Sequence, residues 1–392
     1  MEDMRERAPT ATELLERLVA FDTTSRRSNL ELIDFVADHL DRLGVPVTLI
    51  HDETGEKANL YATLGPRCDG GVVLSGHTDV VPVDGQDWRS DPFRVRHSDD
   101  RLYGRGTADM KGFIAVALAL APEMLAGGLR TPIHFAFSYD EEVGCTGVHG
   151  LIRHIGRDDV RPGLVVVGEP TGMKVVNAHK GCLALNTEVT GFEAHSSATH
   201  LGVNAVSYAA ELIACLDGLG AEMKARARPD SRFEPPHTTV HVGTVEGGTA
   251  RNIIPKSCRF RWEVRALPGS GEDDEVRARF EAHVRERVLP RMRAVHPAAD
   301  VATEAMAEAA GLAPDEDSPA ESLALGLTGG NRTFAVSYCT EAGLFREAGL
   351  PAVVCGPGDI RQAHKPNEYI ELAQIDACVA FVRRLIARLA AP

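Results

Sequence analysis

A chain of 392 residues exceeds an ordinary single domain, so two are expected. Its 44% hydrophobic and 25% charged residues are those of a globular protein able to bury a large core. The formal charge of −14 disfavours nucleic acid and anionic membrane surfaces as partners, and no apolar run approaches the ~18–20 residues of a membrane span.

Residues 1–18 are charged and amphipathic and lack the apolar stretch of a secretory signal, so a cytoplasmic protein is expected. Thr10 precedes the apolar positions Leu14, Leu15, Leu18 and Val19, which predicts a capped helix. A second helix is predicted from Asn29 to about Leu43, with Leu30, Ile33, Val36 and Leu40 on its apolar face. Val47–Ile50 and Asn59–Leu64 read as strands. Gly71–Ser75 is a short apolar run ending just before His77, as in a buried strand that delivers a residue at its carboxyl end. Lys111–Leu125 reads as one buried helix. Ile133–Ser138 is a strand followed directly by Asp140–Glu142, and Leu164–Val167 is another with Glu169 just beyond. Open α/β sheets place their ligands at such carboxyl ends.

From about Ala184 to Val301 the pattern changes. A strand over Leu183–Thr190, a helix over Val203–Leu216, strands over Thr238–Val245 and Cys258–Arg265, and a helix over Glu272–Val288 predict a compact α+β unit. An acidic surface loop follows at Ala313–Ala320. A helix near Thr340–Ala348, a strand at Ala352–Cys355 and a helix over Leu372–Leu389 then return to the first pattern. The expected fold is α/β: a mixed-sheet catalytic domain over residues 1–183 and 302–392, split by an inserted α+β domain over 184–301. The eight cysteines are dispersed and none forms C-x-x-C, which speaks against a sulfur metal site and for reduced thiols.

Five metal-type side chains, His77, Asp109, Glu142, Glu169 and His364, stand in tight local settings, with Glu141 beside one of them. Nitrogen and carboxylate donors suit zinc, and the inventory fits two cations bridged by one carboxylate, with a glutamate left over to handle protons. Asp79, two residues from His77, can fix that histidine's tautomer; the plainer reading is a turn histidine with a surface acid. Asp109 is either a ligand or only a helix cap. Asp140, Glu141 and Glu142 form either a solvated turn or a site in which adjacent side chains point oppositely, one to metal and one to water. Glu169 alone is an ordinary turn acid, and His364 alone an ordinary loop histidine. Their joint occurrence, in this order, is the stronger observation.

Six stretches carry a resemblance: S-G-H-T-D-V-V-P, L-Y-G-R-G-T-A-D-M-K-G, S-Y-D-E-E-V-G, V-G-E-P-T, G-F-E-A-H-S-S and A-H-K-P-N-E. Together they resemble the signatures of the co-catalytic zinc deacylase and carboxypeptidase family, from about Thr10 to Leu389. The resemblance implies two Zn2+, with Co2+ as a substitute. One would be held by His77, Asp109 and Glu169, the other by Asp109, Glu142 and His364. Glu141 would be the general base and Asp79 the partner of His77. The insert would be a lid and dimerisation domain, in a homodimer whose His195 reaches the partner's active site. Asn252 is the implied substrate contact. Arg251, where the family often has an apolar residue, can grip a substrate carboxylate or pair with a surface acid. Members that remove a succinyl group typically carry arginine where Leu344 stands. Leu344 cannot pair with a carboxylate, whereas Glu341 can meet an ammonium. The implied substrate is therefore an Nα-acetylated diamino acid. A desuccinylase, a broad N-acyl-amino-acid deacylase and a dipeptidase are the alternatives among enzymes, and a metal-binding interaction protein without catalysis is the alternative outside them.

Overall fold

The computed structural model describes residues 8–391, and residues 1–7 of the charged amino-terminal stretch lie outside the described residues. In chain order the strands are β1 (Val47–His51), β2 (Ala58–Leu64), β3 (Val72–His77), β4 (Arg96–Ser98), β5 (Arg101–Tyr103), β6 (Ile133–Ser138), β7 (Leu164–Pro170), β8 (Val176–His179), β9 (Cys182–Thr190), β10 (Thr239–Gly247), β11 (Ser257–Arg265), β12 (Asp300–Ala309), β13 (Phe334–Val336), β14 (Ala352–Gly356) and β15 (Tyr369–Glu371).

The chain divides into two compact units. The first comprises residues up to Ala178, Pro314–Phe334 and everything from Thr340. Its centre is a mixed sheet in the order β1-β2-β6-β3-β7-β14-β8-β13. β6, β3, β7 and β14 run parallel, while β1 and β2 run antiparallel at one side. Every residue of β3, β6 and β7 is buried. That explains their near-continuous apolar sequences, since a parallel sheet is covered on both faces. The helices Ala11–Val19, Lys111–Ala119 and Leu372–Ala390 contribute Leu14, Leu18, Phe113 and Phe381 to one core with Phe135 of β6. Each such side chain stabilises the fold by about 1.5–3 kcal/mol on burial. The first helix is held at its start by a capping box: Glu13 N donates to Thr10 Oγ1 at 3.3 Å and Thr10 N to Glu13 Oε2 at 2.7 Å. Close packing also has a requirement in β7. A Cβ on Gly168 would lie 2.1 Å from Phe113 Cγ, so only glycine lets the strand bearing Glu169 approach the helix that follows Asp109.

The second unit, His179–Ala313 with Ala335–Cys339, contains a sheet ordered β10-β11-β9-β12. β11 alternates buried and more exposed residues, turning Cys258, Phe260, Trp262 and Val264 toward Leu212 and Leu216 of helix Ala205–Ala225 and Phe280 of helix Glu272–His283. This unit extends past the 184–301 expected from sequence because β12 pairs with β9 from Asp300↔Thr190 to Ala309↔Cys182.

Several elements depart from expectation. Lys111–Leu125 is two helices, Lys111–Ala119 and Ala121–Ala126. Pro122 lies at the start of the second and cannot donate an amide hydrogen into a continuous helix. The end of the acidic loop is a helix start: Ser318 accepts from Glu321 N at 3.3 Å and caps Pro319–Thr328. The helix near Thr340 is short, Ala342–Glu347, and the helix from Glu272 passes through a π-turn at Val284–Val288 before Leu289–Val295. Among the described residues no helix is long and apolar enough to cross a membrane.

Candidate metal centre

The carboxyl ends of β3, β6 and β7 lie side by side, and each delivers a polar residue into one buried cluster. His77 closes β3 and Glu169 lies within β7, each inside its strand rather than just beyond it. Asp140–Glu142 follow β6 directly, as expected. Asp109 comes from the turn before helix Lys111–Ala119, and His364 from a loop in which its own φ is +63°. Met110 is the cap residue of that helix, with no side-chain cap hydrogen bond, so Asp109 is free of the capping role.

The donor atoms converge. His77 Nε2 lies 3.2 Å from Asp109 Oδ1 and 3.6 Å from Glu169 Oε1. His364 Nε2 lies 3.3 Å from Asp109 Oδ2 and 2.9 Å from Glu142 Oε2. Asp109 thus turns one oxygen to each histidine, the disposition a bridging carboxylate needs. His77, Glu141 and Glu169, and likewise His77, Asp109 and Glu142, each offer one donor atom within 4.8 Å of the others.

Asp79 stands against His77 through both its main chain and its carboxylate. His77 Nδ1 lies 2.9 Å from the Asp79 main-chain carbonyl and 3.6 Å from its Oδ1, so the carbonyl is the nearer partner. The Asp79 carboxylate also accepts from Ser25 Oγ at 2.7 Å and from the amides of Glu141 and Glu142 at 3.1 and 3.3 Å. It therefore fixes the backbone from which both glutamates project.

The electrostatics of this cluster favour positive charge. Burial pushes the carboxyl groups of Glu169 and Glu141 well above the usual range, with neighbouring carboxylates adding to it. Burial and Asp109 bring Glu142 to about 7. Asp109 moves the other way: burial opposes its ionisation, but hydrogen bonds from His364 and His77 hold it below its ordinary value. His364 is raised to about 10 by its bonds to Asp109 and Glu142. The raised groups keep protons in the cluster, while Asp109 and Asp79 are held below their ordinary values and stay ionised beside the imidazoles. Glu169 Oε1 is buried without a hydrogen-bond partner among the described residues. Four carboxylates beside two imidazoles, with a buried orphan oxygen, fit divalent metal bound through nitrogen and oxygen.

Glu341 is also near. It is 1% exposed, accepts from Ser75 Oγ at 3.4 Å, and leaves Oε1 without a partner among the described residues. Burial raises its carboxyl group to about 7, and its charge helps raise Glu141. Leu344 is buried one helical turn on. His195, Arg251 and Asn252 belong to the second unit. There His195 pairs with Ile253 as an isolated bridge, Ser196 N donates to the Asn252 carbonyl at 3.1 Å, and His195 Nδ1 meets Ser197 Oγ at 2.7 Å. His195, Arg251 and Asn252 are exposed.

Three residues beneath the cluster went unrecognised in the sequence: Ser25, which holds Asp79, and the pair Arg105–Glu368, joined at 2.7 Å. Arg105 and Glu368 stand inside quoted motifs, but nothing in one sequence pairs residues so far apart.

A family model for peptidase family M20/M25/M40 matches residues 73–388. The chain belongs to that family. It is accordingly a metal-dependent amidohydrolase. It is similar to the acetylornithine deacetylase of Myxococcus xanthus, 36% identical over 98% of each chain, and to that of Proteus mirabilis (strain HI4320), 34% identical over 98% of this chain and 97% of the relative. Among solved structures, the fold matches the M20 family metallo-carboxypeptidase Sso-CP2 from Sulfolobus solfataricus with a TM-score of 0.77, at 17% identity over 97% of this chain and 99% of that one. Human carnosine dipeptidase 1 matches with a TM-score of 0.72, at 18% identity over 97% and 96%.

Proposed function

We propose that the chain hydrolyses N-acetyl-L-ornithine to L-ornithine and acetate. The observation that carries the reaction class is the Asp109 carboxylate shared between His77 and His364, with Glu141 alongside. The substrate assignment draws its support from the relatives named acetylornithine deacetylase, at 31–36% identity over nearly the whole chain. His77, Asp109 and Glu169 would hold one zinc ion, and Asp109, Glu142 and His364 the other. Bound there, two divalent cations supply Lewis acidity and a water acidified toward neutrality.

The remaining chemistry belongs to side chains. Glu141 takes the proton of the attacking water and returns it to the departing amine nitrogen, acting as a shuttle. Asp79 keeps Glu141 in place through its backbone amide. His195 donates a hydrogen bond to the developing oxyanion. Asn252 and Arg251 receive the substrate α-carboxylate, and Glu341 offers its unpartnered Oε1 to the side-chain ammonium. The second unit serves as lid and dimerisation domain, with His195 acting on the partner's site.

The test is release of free amine from N-acetyl-L-ornithine, N-succinyl-diaminopimelate and N-acetyl-methionine by zinc- or cobalt-loaded protein. Acetylornithine is expected to give the highest kcat/KM, and Glu341→Gln to erode that preference. A preference for acetylmethionine would replace the assignment with a broad aminoacylase, and one for the succinyl substrate with a desuccinylase. The in-trans role has its own test. His195→Ala and Glu141→Ala proteins, each nearly inactive, are expected to regain activity when mixed, because one site of the hybrid dimer keeps both groups. No recovery after verified subunit exchange would exclude it.

A further inference from the structure

Outside the donor set, a polar relay joins the two segments that carry Asp109 and His364. Glu368 is 1% exposed, and its Oε1 accepts the backbone amides of Ala108 and Asp109 at 2.9 and 3.2 Å. Its Oε2 accepts from Arg105 Nη1 at 2.7 Å. The same guanidinium donates through Nη2 to Gln86 Oε1 at 2.7 Å and through Nη1 to the Lys365 carbonyl at 3.4 Å. Gln86 Nε2 in turn donates to the carbonyl of His364 at 2.9 Å. Trp88 supports the junction: its Nε1 donates to Gln86 Oε1 at 3.0 Å, and its ring centroid lies 5.2 Å from the Arg105 guanidinium carbon.

The loop being held needs holding. His364 and Asn367 both adopt positive φ, +63° and +58°, a conformation that L side chains populate sparsely unless their surroundings impose it. Asn367 is fixed from the same side, accepting from Arg89 N at 2.8 Å and donating to the Asp87 carbonyl at 3.2 Å. A buried ion pair such as Arg105–Glu368 is poor at stabilising a fold, because desolvation offsets its attraction. Its contribution here is geometric: the other hydrogen bonds of its side chains end on the amides of Ala108 and Asp109, on Gln86 and on the Lys365 carbonyl.

We propose that Gln86, Arg105 and Glu368 form a positioning relay that sets Asp109 and His364 relative to each other and so governs the cation position these two share with Glu142. The inference rests on the two-metal reading of the site. The two ends of the relay carry different signatures. Of the residues that carry the two donors, Gln86 bonds directly to His364 and reaches Asp109 only through Arg105 and Glu368, so it bears chiefly on one cation position. Glu368 holds the backbone of Asp109, which both positions share.

Stepwise titration with Co2+, followed by visible absorption and by metal analysis of the dialysed protein, reads both positions without an activity assay. Wild-type protein is expected to take up two equivalents. Gln86→Leu is expected to weaken the second by about 10–100-fold, as for outer partners of metal ligands, with the first unchanged. Glu368→Gln is expected to weaken both. Gln86 is partly exposed, so its variant decides the matter even where the Glu368 variant fails to fold. Two equivalents in wild type and in Gln86→Leu, with the same affinities and spectra, would overturn the relay. Equal weakening of both equivalents in Gln86→Leu would also overturn it, as a general structural effect. Fewer than two equivalents in wild type would remove the two-metal reading itself, and the relay with it.

Discussion

Glu141→Gln is expected to lower kcat by about 10²–10⁴-fold, the usual contribution of a positioned general base, while both metal equivalents stay bound. Glutamine keeps the size and the acceptor oxygen of Glu141 but cannot take a proton. The backbone around it is fixed by Asp79, which accepts from the amides of residues 141 and 142, so the side chain should keep its place. The experiment also separates two uses of the same carboxylate. Glu141 lies within 4.8 Å of donor atoms on His77 and Glu169, close enough to be a ligand instead of a base. A ligand role predicts lost metal together with lost turnover. A base role predicts lost turnover alone, with KM little changed. Near-wild-type turnover would remove Glu141 from the chemistry altogether.

Asp109→Asn is expected to cost both cations at once and to abolish activity. Each Asp109 oxygen faces a different histidine, at 3.2 and 3.3 Å, and the carboxylate is held below its ordinary pKa. An amide offers one neutral acceptor where two anionic ones stood. The readout is metal content, with thermal unfolding as a second. A ligand that binds only the folded state raises its stability, so chelation is expected to lower the Tm of the wild type and leave that of the variant unmoved. Retention of one tightly bound equivalent would show that Asp109 serves a single cation rather than bridging two.

Much of this site can be read along the chain because three of its donors, His77, Glu142 and Glu169, sit where apolar strands end. Runs such as Val72–Leu74 and Leu164–Val167 have no way to stay dry except inside a covered sheet, so the polar residue that follows each is fixed at a sheet end. The residues that escaped notice are those defined by distant partners. Glu368 looks like the close of a motif until Arg105 and the amides of Ala108 and Asp109 are placed against it. The spacing of Asp79 from His77 places the two together, but says nothing of the main-chain carbonyl that lies nearer the ring, at 2.9 Å. Strand β12 was hidden by composition: Asp300–Ala309 is rich in alanine and glutamate, residues poor in β-propensity, and it becomes a strand by pairing along β9. The split of Lys111–Leu125 turned on Pro122, whose missing amide hydrogen outweighed the continuous apolar run.

The donors fall unevenly along the polypeptide. His77, Asp109 and Glu169 all precede the second unit, whereas His364 follows it. On the proposed assignment, the trio of His77, Asp109 and Glu169 is therefore synthesised in full before the second unit is begun, and the other waits for the carboxyl-terminal segment. A chain cut anywhere between Pro170 and Ala363 still carries every side chain of the first trio and lacks the histidine of the second. Under the two-cation proposal, the second cation position is thus completed only once the carboxyl-terminal segment is in place.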